Sequence, residues 1–310
     1  MTTDGAKGTF PENHPLSLGQ AIGKRIWGEN PLLEWLGNCD FGLVLGASLP
    51  YRSTAGVDLK MPQKFAHVLM DESIIDKNYK SDVAITGNSQ AVLAQISDML
   101  GDYVCDLDQG YSKEITDVKT EILSTLESTW GNELRTWQAI RASLPEDTIF
   151  SLDPTVPASR ASRCLEINNP RTFMYPHGWL GLGFAFPAAL GAKVAKPETP
   201  VVCVTGDGGF QYNLQELATA KQYGLNPIVL MFNDNAWGVL KDYQKQRFDS
   251  RFFATDLVNP DFSKLFESYG FESFVVDNVN DLQDALKKAV NAKELTLIEV
   301  KIPNGFSQFV

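Results

Sequence analysis

Two acidic residues stand where this chain could do chemistry. Asp207 lies inside the glycine turn "TGDGGF" and Asp234 inside "FNDNAWG", each directly after an apolar run, "VVCV" and "IVLMF". Gly206, Gly208 and Gly209 let the backbone take positive φ and come close to a ligand, and a helix N-terminus beside such a turn favours an anion such as a diphosphate. An aspartate is repelled by phosphate unless a divalent cation lies between them. Mg²⁺ suits that role because it takes carboxylate, carbonyl, phosphate and water oxygens in octahedral geometry. The pair is therefore expected to hold Mg²⁺ and, through it, a diphosphate. Taken singly, Gly-Asp-Gly is also an ordinary turn and Asn-Asp-Asn an ordinary helix cap; the pairing at two strand ends favours the binding site. A nucleotide-diphosphate binder using the same turn is a further alternative, although residues 206–210 fit neither GxGxxG nor the P-loop.

Such carboxylates need strands and helices to place them. Apolar runs alternate with helical patterns along the chain, which predicts an α/β fold of two domains, each a mostly parallel sheet flanked by helices. In the first part, "FGLVLGASL", "FAHVLMDES" and "DVAITG" read as strands, and "NSQAVLAQISDML" as a helix capped by Asn88. This domain is expected over 1–105, followed by a polar linker over 106–120 and a second domain over 121–310 that opens with an amphipathic helix over 121–142. There "DTIFSLD", "TPVVCVTGD", "PIVLMFND", "ESFVVD" and "LTLIEVKI" read as strands. "GFAFPAALGAKVA", "NLQELATAKQYG" closed by Gly224, "DFSKLFESYG" and "VNDLQDALKKAVNA" read as helices. One helix between two neighbouring parallel strands makes a βαβ unit, so Asp207 and Asp234 should emerge side by side at the carboxyl edge of the sheet, where open α/β folds bind ligands.

Composition narrows the class of partner. A formal charge of −11 argues against nucleic acid or an anionic membrane surface, both of which reward clustered Lys and Arg. It leaves a small anion open, because a bound cation and oriented N–H groups act locally. No apolar run reaches the length of a membrane span, and "MTTDGAKGTFPENHP" has no signal-peptide core, so a cytoplasmic protein is expected. Cys39, Cys105, Cys164 and Cys203 show no metal-ligand spacing and are expected as free thiols.

The segment "GDGGFQYNLQELATA…FNDNAWG" resembles the thiamine diphosphate enzymes of the acetolactate synthase and 2-oxo acid decarboxylase group. The resemblance implies Asp207, Asp234 and the main-chain carbonyl of Ala236 as metal ligands, with backbone groups of Gly208, Gly209 and Phe210 reaching the diphosphate. "HGWLGLGFAFPAALGAKVAKPE" is similar to the segment supporting the cofactor's bent conformation, with Gly181 beside Leu182 as the apolar wedge between its rings. In "NAWG" and the residue after it, Trp237 and Gly238 fall beside the cofactor and Val239 on a second apolar position. "GTFPENHPLSLG", "LVLGASL" and "DESIIDKNYKSDVAITGNSQAVLAQI" resemble the central domain of the same enzymes. The implied cofactors are thiamine diphosphate and Mg²⁺; the resemblance leaves FAD open. The implied substrate is a 2-oxo acid.

In these enzymes a pyrimidine-binding domain precedes the central one and carries a glutamate that activates the cofactor. The chain is expected to begin partway through the central domain and to lack that glutamate, so it would be inactive alone. A homo- or hetero-oligomer with a chain supplying the pyrimidine-binding domain follows as the expected assembly. Glu216 belongs to the "QELATA" pattern and is no substitute. Tyr243 stands where acetolactate synthases carry tryptophan, and "SLDPTVPASRASRCLE" departs from their pattern toward decarboxylase-like relatives. A 2-oxo acid decarboxylase, or a non-catalytic subunit, therefore stays open beside acetolactate synthase-like carboligation. His177 is a candidate substrate contact; His67 is expected to be packed in a strand and His14 to lie in a loop.

Overall fold

The apolar runs pair in parallel in two separate sheets. The computed structural model describes residues 1–20, 31–51, 54, 56, 59–101, 103, 109–303 and 305–309. It divides into two compact units, one of residues 1–6 and 14–125 and one of residues 7–13 and 126–310.

The first unit holds helix α1 (Pro31–Asn38), strands β1 (Phe41–Leu45), β2 (Lys64–Leu69) and β3 (Val83–Thr86), helix α2 (Ser89–Leu100) and the first part of helix α3 (Gln109–Ala142). The strands form a parallel sheet in the order β1-β2-β3, in which Leu43 pairs with Ala66 and Ala66 with Val83. Asn88 caps α2 as its sequence predicts, its side-chain oxygen accepting from the amides of Gln90 at 2.9 Å and Ala91 at 3.2 Å. Leu18, Leu32, Ile115 and Val118 make a small core, with Trp35 and Ile122 packed on it.

The second unit holds β4 (Ile149–Leu152), α4 (Val156–Cys164), β5 (Phe173–Met174), α5 (Ala185–Ala195), β6 (Val201–Gly206), the one-turn α6 (Asp207–Phe210), α7 (Glu216–Tyr223), β7 (Ile228–Asn233), α8 (Gly238–Arg247), α9 (Phe262–Ser268), β8 (Glu272–Val276), α10 (Val279–Ala289) and β9 (Thr296–Lys301). Its sheet is parallel in the order β5-β4-β6-β7-β9-β8. Every residue of β4 and β7 is buried, as expected of central parallel strands covered on both faces. Gly224 ends α7 in the left-handed conformation at φ +62°, with its N–H on the Ala220 and Lys221 carbonyls.

Three expectations change. The stretch read as a linker is helical from Gln109 onward, as the first part of α3, which is kinked by non-helical dihedrals at Trp130. Its Ile115, Val118 and Ile122 recur at helical spacing and are drawn into the first unit's core, which outweighs the polarity of their neighbours. Residues 7–13 join the second unit rather than the first: Lys7 Nζ pairs with Glu12 at 2.6 Å, and Glu12 Oε2 accepts from the Ile167 amide at 2.9 Å. Finally, the "QELATA" helix starts at Glu216, and the glycine turn itself winds into the single helical turn α6 ahead of it.

Candidate functional site

β6 and β7 are neighbours, with Thr205 opposite Met231 and Gly206 opposite Phe232. Asp207 and Asp234 therefore leave the sheet on adjacent strands at the same edge, as the βαβ reading requires. Asp207 is 2% exposed and Asp234 partly buried. Burial pushes the Asp207 carboxyl above its ordinary value, against hydrogen bonds from Asn259 and nearby amides. Burial and then the charge of Asp207 push Asp234 up to about 6. The two carboxylates thus repel each other in a desolvated place, a setting that a divalent cation relieves.

The turn between them is built to be thin. A side chain at Gly208 would put its Cβ 2.6 Å from Trp237 Cζ3, and one at Gly238 would lie 2.5 Å from Asp234 Oδ2. Glycine at these positions lets the Trp237 ring lie on the turn and the chain pass close to the carboxylate. Tyr212 meets Trp237 edge-on at 6.2 Å. Beneath the turn, Phe210 is 1% exposed and packs on Phe186, Phe262 and Phe266 at 5.1, 6.3 and 5.5 Å between ring centroids. Aromatic pairs of this kind contribute about 0.5–1.5 kcal/mol each beyond their burial. The backbone of the turn stays available while its last side chain anchors it.

Residues 233–236 do not cap a helix through their side chains. Asn233 Oδ1 accepts from the Asn235 amide at 3.0 Å and Asp234 Oδ1 from the Ala236 amide at 3.1 Å, which folds the strand end into a tight turn with Asn235 at φ +53°. Ala236 is buried and bridges to Asp256, while the Trp237 amide donates to the Thr255 carbonyl at 2.7 Å.

The segment around Leu182, expected from the resemblance as a wedge, is tied to the same edge. Asp153, 1% exposed at the end of β4, accepts from the Ala185 amide at 2.8 Å and the Thr205 hydroxyl at 2.7 Å. Gly183 sits at φ +81°, where an added Cβ would meet Tyr212 Cβ at 2.7 Å, and its carbonyl accepts from Asn213 Nδ2 at 2.8 Å. Leu182 is held next to this contact and is 37% exposed; Gly181 has no atoms within 4 Å of an added Cβ. Val239 is partly buried in the first turn of α8, and Tyr243, one turn on, is exposed under Arg247 at 5.0 Å. His177 is partly buried against Tyr175 at 4.6 Å.

Sequence reasoning missed Asn259, Asp153 and Glu299. Asn259 Nδ2 donates to Asp207 Oδ2 at 2.6 Å, and Glu299, 3% exposed on β9, accepts from Asn233 Nδ2 at 2.6 Å. An Asp-Pro at a strand end and a lone Glu in an apolar strand were the available signals for the last two; Asn259 offered none.

Other reactive candidates recede. Burial pushes the Cys164 thiol up to about 12 and the Cys203 thiol well above its usual value, so neither is a nucleophile; Cys105 lies outside the described residues. His67 is 2% exposed, with Nε2 2.8 Å from the Ala47 carbonyl oxygen, and His14 lies in a loop where its carbonyl accepts from Lys119. Glu216 accepts from the Thr219 hydroxyl on its own helix at 2.6 Å. Among the described residues no three His, Cys, Asp or Glu cluster as a metal site, so a cation here would rest on two carboxylates with main-chain and ligand oxygens. No helix of the described residues is long and apolar enough to cross a membrane.

A doubly covered parallel sheet that presents a glycine turn and two carboxylates at its carboxyl edge has the build of the open α/β folds, which bind ligands at strand ends. Family comparison makes the class specific. The model for the thiamine pyrophosphate enzyme C-terminal TPP binding domain matches residues 157–300, and that for the thiamine pyrophosphate enzyme central domain matches residues 1–96. The chain belongs to the thiamine pyrophosphate enzyme family. It is 30% identical to a probable acetolactate synthase large subunit of Methanococcus aeolicus, over 97% of this chain and 53% of that protein. It is 28% identical to a sulfoacetaldehyde acetyltransferase of Castellaniella defragrans, over 94% of this chain and 54% of that protein. A pyruvate oxidase of Lactiplantibacillus plantarum is also 28% identical, over 97% of this chain and 50% of that protein. The chain spans about half the length of these curated relatives.

Proposed function

We propose that this chain supplies the diphosphate-holding half of a thiamine diphosphate enzyme that acts on 2-oxo acids by acetolactate synthase-like decarboxylation and carboligation. The observation that carries the reading is the pair Asp207 and Asp234 on adjacent strand ends, buried enough to raise both proton affinities, beside a glycine turn that admits no side chain at Gly208. That donor set fits Mg²⁺ with a diphosphate.

In this reading Asp207, Asp234 and the Ala236 carbonyl hold Mg²⁺, while the backbone of Gly206, Gly208, Gly209 and Phe210 faces the diphosphate. Thiamine diphosphate, when bound, supplies the carbon nucleophile and the electron sink for cleaving the carboxylate from a 2-oxo acid. The chain's own residues bind and orient. Leu182 and Val239 offer apolar surface to the rings, Trp237 and Gly238 close the turn against water, and His177 and Tyr243 face the substrate. Gly181 stands beside Leu182 in the same proposed cofactor-binding set.

The aminopyrimidine half of the site is proposed to come from a pyrimidine-binding domain in an oligomer, and turnover to require it. Free, buried thiols at Cys164 and Cys203 support a reducing, cytoplasmic setting. The test is equilibrium dialysis of thiamine diphosphate with and without Mg²⁺, followed by turnover of pyruvate after addition of a pyrimidine-domain protein. Mg²⁺-dependent binding and acetolactate formation are expected. Aldehyde alone would make it a decarboxylase, and binding without turnover in any complex would make it a non-catalytic subunit.

A further inference from the structure

Three side-chain oxygens from the two strand ends converge on one nitrogen. Asn259 Nδ2 lies 2.6 Å from Asp207 Oδ2, 2.9 Å from Asn235 Oδ1 and 3.3 Å from Asn233 Oδ1. The orientation of this amide is set by Gln211, whose Nε2 donates to Asn259 Oδ1 at 2.9 Å. Asn233 is set from the other side: its Nδ2 donates to the buried Glu299, which leaves Oδ1 to face Asn259 and the Asn235 amide. Every amide in the chain Gln211, Asn259, Asn233 has one oxygen or nitrogen committed to a fixed partner, so none can turn over without losing a hydrogen bond.

We propose that Asn259 is a positioning residue for the cation: by donating to Oδ2 it fixes, together with the nearby amides, the rotation in which the Asp207 carboxylate is presented to the ion. The inference rests on the proposed Mg²⁺ site and deepens it. A neutral donor suits the role better than Lys or Arg would. An ammonium at 2.6 Å would cancel the charge that the cation must find, whereas an amide orients the carboxylate and leaves its charge in place. The residue comes from the stretch before α9, remote in sequence from both acidic turns, and reaches Asp207 only through the fold.

The test uses the full chain with the variants Asn259→Ala and Gln211→Glu, dialysing thiamine diphosphate while Mg²⁺ is titrated, with far-UV circular dichroism and thermal melts alongside. Asn259→Ala is expected to raise the Mg²⁺ needed for half-saturation roughly ten- to a hundredfold, the usual effect of removing an outer partner of a metal ligand. Gln211→Glu replaces a donor by an acceptor of the same size, so the Asn259 amide must turn its nitrogen toward residue 211 and its oxygen toward Asp207. It is expected to weaken Mg²⁺ binding in the same direction, although added negative charge alone would tighten it. Unchanged Mg²⁺ requirement in both variants overturns the positioning role while the site stands. Absence of Mg²⁺-dependent binding in the parent chain overturns the proposed site and the inference with it. If Asn259→Ala fails to fold, Gln211→Glu decides, and parent-like or tighter Mg²⁺ binding by that variant overturns the inference.

Discussion

The two sheets follow one grammar and end in opposite electrostatics. In the first unit the acidic residues after β2 satisfy themselves: Asp71 accepts from the Ser73 amide and hydroxyl at 2.9 and 2.7 Å, and Asp76 from Lys80 and Ser81 at 2.8 and 2.6 Å. These hydrogen bonds hold both carboxyls below their ordinary value. In the second unit Asp207 and Asp234 are held above theirs, by burial and, for Asp234, by each other's charge. A carboxylate that is satisfied locally contributes to its loop. One that is buried beside another keeps a raised proton affinity even with Lys241 acting weakly on Asp234, and an added cation would relieve it.

Strand burial separates the sheets in the same way. β1 and β3 keep exposed positions, and α2 buries no residue, whereas β6, β7 and β9 are buried almost throughout. A rigid, covered sheet can fix two strand ends against each other; an open one presents separate loops.

The sharpest way to break the contrast is to remove one carboxylate. Asp207→Asn is expected to abolish Mg²⁺-dependent binding of thiamine diphosphate, measured by dialysis, while the melting temperature of the unliganded chain holds or rises. Asp71→Asn in the first unit should leave binding untouched.

A smaller loss is expected from Gly208→Ala. Its methyl would press on Trp237 at 2.6 Å, so the indole or the turn must move. Overpacking of this kind costs about 1–3 kcal/mol, read as a lower melting temperature together with weaker cofactor binding.

Acidity offers a third comparison. Because the folded-state value for Asp234 is near 6 against an ordinary 3.8, the folded unliganded chain holds its proton more tightly than the unfolded one. Its stability should therefore fall as pH rises through the window from about 4 to about 6. Asp234→Asn should flatten that slope in melts, and saturating Mg²⁺ with thiamine diphosphate should reverse it. A slope unaffected by the substitution would remove Asp234 as its source.

The smallest effect belongs to the first unit. Asn88→Ala should cost about 1 kcal/mol through loss of the α2 cap, seen as a lower melting temperature, with Mg²⁺-dependent binding unchanged.

The strands apart from the two-residue β5, the Asn88 cap, the Gly224 stop and the adjacency of the two acidic turns were legible in the sequence, because each depends on periodicity or on the conformational freedom of one residue. α4 and α8 were not: "VPASRASRC" buries mostly small residues, Pro157, Ala158, Ala161, Ser162 and Cys164, and "GVLKDYQKQR" is largely polar and buries none. The linker over 106–120 misled for the converse reason: polar residues surround Ile115 and Val118, which continue at helical spacing to Ile122, and the core decided.

By itself the sequence determined which chemistry the chain is equipped for: carboxylates and glycines at strand ends, with a small sheet and a large one to carry them. Only the tertiary structure decided that Asp153, Asn259 and Glu299 brace that edge. Their partners lie in other strands and loops, and hydrogen bonds between segments remote along the chain have no period and no local propensity to announce them; they exist once the sheet has closed and burial has made an unpaired polar group costly.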